Sequence, residues 1–316
     1  MTESLTVRSL VDAMDARLGL KWVAGYGGCE RRLARHTQVE GPISLVGHLN
    51  LIHPNQIQVL GRDEVTYLTN LRKNSQRDVI EQLTSGQSVL LIIADGEEPP
   101  VSLQAQAEKS DIPLLRTPLP SYELINILRY FFSNKLAETI TLHGVFMEVM
   151  GIGALLTGNS SVGKSELALE LISRGHRLIA DDAPEFARIT PDILRGTCPP
   201  VLQDFLEVRG LGVLNIRSMY GDSAIKESKY LRLIVRLFDL GHPEEQETDR
   251  LHGGRQTRVI LGLEIPVISL PVAPGRNLAV MVEAAVRNHL LRLKGYYAGE
   301  DLAARQRRAM QEDDDL

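Results

Sequence analysis

The sequence predicts an α/β protein of two domains, and three observations carry that prediction. Short apolar runs alternate with helix-like segments through residues 1–133. Between about residues 133 and 140 the texture changes to dense β-branched runs with glycines. Beyond that change, a glycine loop stands between an apolar strand and an amphipathic helix. We therefore place a small N-terminal α/β domain at 1–133 and a second domain, with all of the suggestive chemistry, at 134–316.

In the first domain "ISLVGHL", "SVLLIIADG" and "IPLLRTP" read as strands. "GRDEVTYLTNLRK" and "SYELINILRYFFSNKLAE" read as helices, the second starting at a Ser121 cap. "GYGGCE" breaks the G-x-G-x-x-G spacing at Glu30 and reads as a turn, so no motif assigns this domain a role. An apolar fraction of 43% and a charged fraction of 24% are those of a globular protein. A net charge of −5 gives no basic footprint for nucleic acid. "MTESLTVRSL" lacks the charged start and apolar run of a signal peptide. "GVFMEVMGIGALLTG" is interrupted by Glu148 and glycines, which suits two buried strands about a turn rather than a membrane span. Cys29 and Cys198 form no C-x-x-C pair, and the expected compartment is a reducing cytoplasm.

The second domain opens with a strand, "IGALLT", followed by Gly158, Asn159, Ser160, Ser161, Val162, Gly163, Lys164 and Ser165. This run satisfies G-x-x-x-x-G-K-[ST]. Its glycines let backbone N–H groups turn toward phosphate oxygens at a helix N-terminus. Lys164 can reach the β- and γ-phosphates, and the Ser165 hydroxyl can bind Mg²⁺. The helix "KSELALELISR" carries Leu167, Leu171 and Ile172 on one face and ends at Gly175.

Next, the strand in "GHRLIADDAPEF" ends in Asp181-Asp182, where a carboxylate can meet a nucleotide or take a proton from a hydroxyl. Asp182 with Pro184 and Glu185 equally resembles a helix N-cap box, and both readings stand at this point. A hairpin turn at Gly151-Ile-Gly153 places His143 across from residue 159, beside the loop; a lone histidine there is also read as an ordinary surface or satisfied core residue. In "LEVRGLGVLNI", Glu207 and Arg209 share a strand face, as ligands of metal and phosphate or as a cross-strand ion pair. "EEQETDRLHGGRQTRVI" reads as a mobile charged loop whose arginines clamp a phosphoryl group or merely solvate the surface. "PVAPGRNLAVMVEAAVRNHLLRLKG" reads as a Pro274-Gly275 turn, an Asn277 cap and an amphipathic helix, with Arg276 a candidate anion ligand. "GEDLAARQRRAMQEDDDL" reads as a short helix and a solvated tail.

From "HGVFMEVMGIGALLTGNSSVGKSELALELISRGHRLIADD" to "PGRNLAVMVEAA", these blocks resemble the bacterial HPr serine kinase (HPr kinase/phosphorylase) family, "LEVRGLGVLNI" most specifically. The resemblance implies a P-loop domain with a core like that of phosphoenolpyruvate carboxykinase. It implies a bifunctional enzyme that phosphorylates a serine of the carrier protein HPr from ATP, or from pyrophosphate, and removes that phosphate with inorganic phosphate to give pyrophosphate. Lys164 and Ser165 would then hold phosphates and Mg²⁺, with Glu207 a further Mg²⁺ contact. Asp182 would be the proton acceptor, His143 its support, and Arg250 would manage the phosphoryl charge. The turn at 271–276 would serve dephosphorylation, and the assembly would be a cytoplasmic hexamer. Two residues depart from the family pattern: Ser161 replaces a loop glycine, and Ala273 replaces an arginine before Pro-Gly-Arg, removing a positive charge. The rival readings are a small-molecule kinase of the carboxykinase-like group and a nucleotide-sensing scaffold without transfer.

Overall fold

The computed structural model describes residues 5–33, 45–239 and 256–314. The chain divides into two compact units, Met1–Leu136 and Ala137–Leu316. No helix among the described residues is long and apolar enough to cross a membrane.

The first unit runs β1 (Leu5–Thr6), α1 (Val7–Leu18), β2 (Lys21–Ala24), β3 (Arg32–Leu33), β4 (Val46–His48) and β5 (Ile57–Leu60). It continues with α2 (Arg62–Asn70), α3 (Lys73–Ser85), β6 (Leu90–Ile93), α4 (Val101–Lys109), β7 (Leu114–Arg116) and α5 (Ser121–Lys135). A five-stranded sheet of order β2-β7-β6-β5-β4 has β4 to β7 parallel and β2 antiparallel at one edge. Alternate residues of each central strand bury opposite ways, as the two-residue period of a strand requires. Val59, Leu90 and Ile92 pack with α1 and α5, while Leu60, Leu91 and Ile93 pack with α2, α3 and α4. Both faces are therefore covered, which is why "LLII" is uniformly apolar. The turn around Gly25 needs its glycine, because a Cβ there would lie 1.9 Å from the Ile112 carbonyl oxygen. The N-cap of α5 is Pro120 rather than Ser121; the Ser121 N–H donates to Asp95 Oδ1 at 2.7 Å.

The second unit runs β8 (Glu138–Thr141), β9 (Val145–Val149), β10 (Ile152–Gly158), α6 (Lys164–Ser173), β11 (Arg177–Ala180), β12 (Glu185–Thr190), β13 (Ile193–Thr197), β14 (Phe205–Val208) and β15 (Gly212–Asn215). Then come α7 (Ile216–Tyr220), β16 (Ser228–Asp239), β17 (Gln256–Ile260), β18 (Leu263–Val272), α8 (Leu278–Leu293) and α9 (Ala298–Asp314). The main sheet follows β11-β9-β10-β16-β13-β12-β8, with β18 also on β16 and β17 on β18. β14 and β15 form a separate hairpin. One face of the sheet, with Ala154, Leu156, Leu233 and Val235, is covered by α6 and α8. The other, with Leu155 and Ile234, packs against Phe186, Leu194, Ile260 and Ile265. The apolar face expected of α6 is buried: Leu167 is 3%, Leu171 0% and Ile172 3% exposed.

Two expectations change here. The C-terminal segment is one helix of 17 residues rather than a short helix with a tail, consistent with its acidic first turn at Glu300 and Asp301. The charged segment expected as a loop ends in a strand, β17, that pairs with β18; residues 240–255 lie outside the described residues.

Candidate active site

The sheet collects its chemistry at one edge. β10, β16 and β18 run parallel, and β11 lies antiparallel to β9, which is antiparallel to β10. The C-terminal ends of β10, β11, β16 and β18 therefore point the same way, the side where open α/β sheets place ligands.

β10 delivers the glycine loop to that edge. Gly158 has φ +147, and a Cβ there would stand 2.4 Å from the Leu237 carbonyl oxygen, so only glycine lets the loop leave between the strands. α6 begins at Lys164 with Gly163 as N-cap and no side-chain cap, so its first N–H groups remain as donors for an anion. Lys164 Nζ donates to the carbonyls of Gly158 at 3.1 Å and Asn159 at 3.0 Å, which lays the ammonium across the loop. Ser161 is in the left-handed region at φ +66. Asn159 and Ser160 are exposed, Val162 half-buried, and Ser165 sits half-buried in the first helical turn.

His143 Nδ1 lies 2.8 Å from Asp182 Oδ1, with both side chains well exposed at 61% and 72%. The hairpin brings this about one residue differently from the expectation. Its turn is Met150-Gly151, with φ of +50 and +80, not Gly151-Ile-Gly153. The register pairs Val145 with Leu156, so residue 143 falls opposite 158 rather than 159. The Gly144 N–H donates to the Asp182 carbonyl at 3.2 Å, which pins the two chain segments beside this contact. The capping reading of Asp182 is overturned, because the chain continues into strand β12 and not into a helix.

The neighbouring carboxylates have different surroundings. Asp181 is only 9% exposed, and burial raises its pKa above the ordinary carboxylate value, opposed by the N–H bonds it accepts from Glu207 and Asp182. Its Oδ2 takes the Glu207 N–H at 2.9 Å and so ties the β14–β15 hairpin to the end of β11. Leu206 and Val208 are buried beneath that hairpin while Glu207 and Arg209 face out. Among the described residues these two form no ion pair; Arg209 Nη1 instead donates to Ser161 Oγ at 2.9 Å. The cross-strand ion-pair reading is thereby corrected. The anchoring role of Asp181 and the Ser161–Arg209 link are not legible in the sequence, whose only signal is the Asp-Asp doublet.

On the face away from α6, a cleft of ≈ 510 Å³ is lined by Thr157, Gly158, Arg236, Gln256, Arg258 and Val267, among others. Arg250 lies outside the described residues. Arg276 follows the end of β18 in a turn closed by its N–H on the Ala273 carbonyl at 3.2 Å, and Asn277 Oδ1 caps α8 through the Val280 N–H at 2.9 Å. Among the described residues no three His, Cys, Asp or Glu side chains gather as a metal cage. The Ser165 hydroxyl and the Glu207 carboxylate offer hard oxygen donors only, which fits Mg²⁺, an ion that draws most of its ligands from water and phosphate.

An edge with this loop, a carboxylate–imidazole pair and a hairpin-borne carboxylate suits phosphoryl transfer to a hydroxyl. Comparison with known proteins narrows the chemistry. Residues 134–306 match the family model "HPr Serine kinase C-terminal domain", and residues 5–132 match "HPr Serine kinase N terminus". The HPr kinase/phosphorylase of Xylella fastidiosa (strain M12) is 51% identical over 93% of this chain and 94% of its own. Those of Stenotrophomonas maltophilia (strain K279a) and Xanthomonas campestris pv. campestris (strain B100) are each 49% identical over 93% of this chain and 94% of theirs. A solved structure, the HPr(Ser) kinase/phosphatase from Coxiella burnetii, is 34% identical, with a TM-score of 0.47, covering 52% of this chain and 98% of that one. With both of its parts matched and such relatives along nearly its whole length, the chain belongs to the HPr serine kinase family.

Proposed function

We propose that this chain is a bifunctional enzyme that phosphorylates a serine of HPr and reverses the modification by phosphorolysis. The observation that carries the chemistry is the 2.8 Å contact of His143 Nδ1 with Asp182 Oδ1, on the edge to which β10 brings the phosphate loop. The kinase/phosphorylase names of the relatives support the substrate.

In the forward direction the loop N–H groups and Lys164 hold the phosphates of ATP or pyrophosphate. Asp182 accepts the proton of the serine hydroxyl as its oxygen attacks the terminal phosphorus, while the Nδ1–H of His143 fixes one carboxylate oxygen and leaves the other for the proton. In reverse, an oxygen of inorganic phosphate attacks the phosphorus of phosphoserine, the Ser–O–P bond breaks, and protonated Asp182 returns its proton to the serine oxygen. The product is pyrophosphate. One group acting as base forwards and acid in reverse is what microscopic reversibility requires. Ser165 and Glu207 would hold Mg²⁺, which when bound neutralises charge on the phosphates. Arg250 and the 271–276 turn would add cationic contacts for the transferring group, Arg276 being the guanidinium of that turn. Family likeness is also the ground for extending the reading to a hexamer in the cytoplasm.

The test is labelling of HPr with ATP and Mg²⁺, and pyrophosphate release from phospho-HPr with inorganic phosphate, in the parent and in Asp182→Asn. We expect both reactions in the parent and a fall of ~10²–10⁴-fold in both for the variant, with nucleotide binding retained. No labelling with any nucleotide or diphosphate overturns the reading; turnover with a metabolite acceptor in place of HPr would mean a small-molecule kinase, and binding without turnover a nucleotide sensor.

A further inference from the structure

Ser161 holds a conformation that glycine adopts freely and serine does not: φ is +66, in the left-handed region. The residue is exposed, so packing does not account for a side chain there. What the side chain does is accept a hydrogen bond, Oγ from Arg209 Nη1 at 2.9 Å, between positions 48 apart in sequence. One exposed hydrogen bond contributes about as much as the strain of that conformation costs. Stability therefore gives no reason to prefer serine to glycine at this position. The bond matters for where it puts the guanidinium.

Arg209 leaves the end of β14, a strand fixed from below by the Glu207 N–H on Asp181, and it precedes Gly210 at φ +87. Its side chain is exposed and, among the described residues, spends one donor on Ser161 and none on a carboxylate. A guanidinium has five N–H donors in a planar fork suited to phosphate oxygens. Here it is held at the loop whose helix N–H groups and Lys164 already favour an anion.

We propose that Ser161 is a positioning residue that latches Arg209 to the rim of the phosphate loop, where the guanidinium is a ligand for phosphoryl oxygens bound in the loop. This rests on the phosphoryl-transfer reading of the site, and it assigns the latch to this chain's own serine. The hairpin that carries Glu207 is thereby coupled to the phosphate loop through one side-chain bond.

The test is calorimetric titration of the full chain with magnesium pyrophosphate, which needs no HPr, followed by steady-state kinetics in both directions. Ser161→Gly relieves the strain and deletes the acceptor. We expect it to leave the thermal midpoint nearly unchanged, weaken pyrophosphate binding about tenfold and raise KM for the phosphoryl donor by a similar factor, with kcat changed about twofold or less. Ser161→Ala weakens binding alike. Ser161→Asn restores it, because asparagine tolerates the left-handed region and its side-chain oxygen accepts the Arg209 bond. In an Arg209→Ala background, Ser161→Gly has no further effect. Parental affinity in Ser161→Gly, equal losses in Ser161→Ala and Ser161→Asn, or full additivity with Arg209→Ala overturns the latch. Failure of HPr labelling with these binding effects intact would overturn the function and leave the latch standing.

Discussion

Helix N-termini stand at strand ends in both units, and α2 and α5 of the first treat their N–H groups in the opposite way to α6 of the second. In the first unit the carboxylate of Asp95, just past β6, accepts the N–H of Arg62 at 2.8 Å and of Ser121 at 2.7 Å, so one side chain caps both α2 and α5. Glu64 adds a bond from the Gly61 N–H at 2.9 Å. In the second unit α6 starts from Gly163 with no side-chain cap, and a lysine lies across the loop. A helix N-terminus carries partial positive charge wherever it occurs. Filled by the chain's own carboxylate it is a structural joint; left to glycine and lysine it keeps its donors for an anion, the basis on which we propose it as the phosphate site.

The largest expected effect tests the open end. Lys164→Ala removes the cation laid over the loop and should lower phosphoryl transfer by ~10²–10³-fold while the thermal midpoint holds. Transfer at the parental rate in stopped assays would mean the loop is no more a phosphate site than the Asp95 joint, and the contrast would dissolve.

Asp95→Ala tests the filled end. Two caps at ~1 kcal/mol each predict a loss of about 2 kcal/mol in urea unfolding of the first unit, with nucleotide affinity of the protein unchanged. A weaker nucleotide complex in this variant would show that the filled joint also takes part in binding.

The smallest effect sharpens the comparison at the other end of α6. There Glu283 on α8 accepts from Arg174 at 2.9 and 2.6 Å and pairs with His176 Nε2 at 2.9 Å. The Arg174 bonds, ahead of the His176 contact and against the cost of burial, pull the Glu283 pKa down to about 2. A lowered carboxylate pKa means stability that is complete above the ordinary value of 4.5 and is lost as pH falls toward about 2. Glu283→Gln should cost ~1–2 kcal/mol at neutral pH and flatten the stability profile between those values, as read by unfolding at pH 7 and pH 3. Parallel profiles for parent and variant would exclude the Glu283 contacts with Arg174 and His176 as the anchor of α6.

Legibility followed the range of the interaction. The glycine loop, α6, the strand pair β9–β10, the Asn277 cap and the Gly275 turn are readable because each is specified by neighbours within a few positions. α3 and α4 go unread in the sequence; each buries only two apolar side chains, Ile80 and Leu83 in one and Leu103 and Ala107 in the other, though α2, which is read, buries no more. The hairpin register slipped by one because the turn demanded two left-handed residues, and Met150 takes that conformation beside Gly151 without announcing it. The Ser121 cap failed for a different reason, since the acceptor came from Asp95 in another element.

By itself the sequence determined the two-part α/β plan, the phosphate loop and the family likeness, all carried by residue types at short spacings whose backbone demands are local. The family likeness had already paired Asp182 with His143; only the tertiary structure decided that Asp181 is buried under Glu207, and that Arg209 answers to Ser161 rather than to a carboxylate. Those choices depend on how the ends of β10, β11 and β14 are brought together. Strand pairing and burial set that placement, and no local run of residues encodes it.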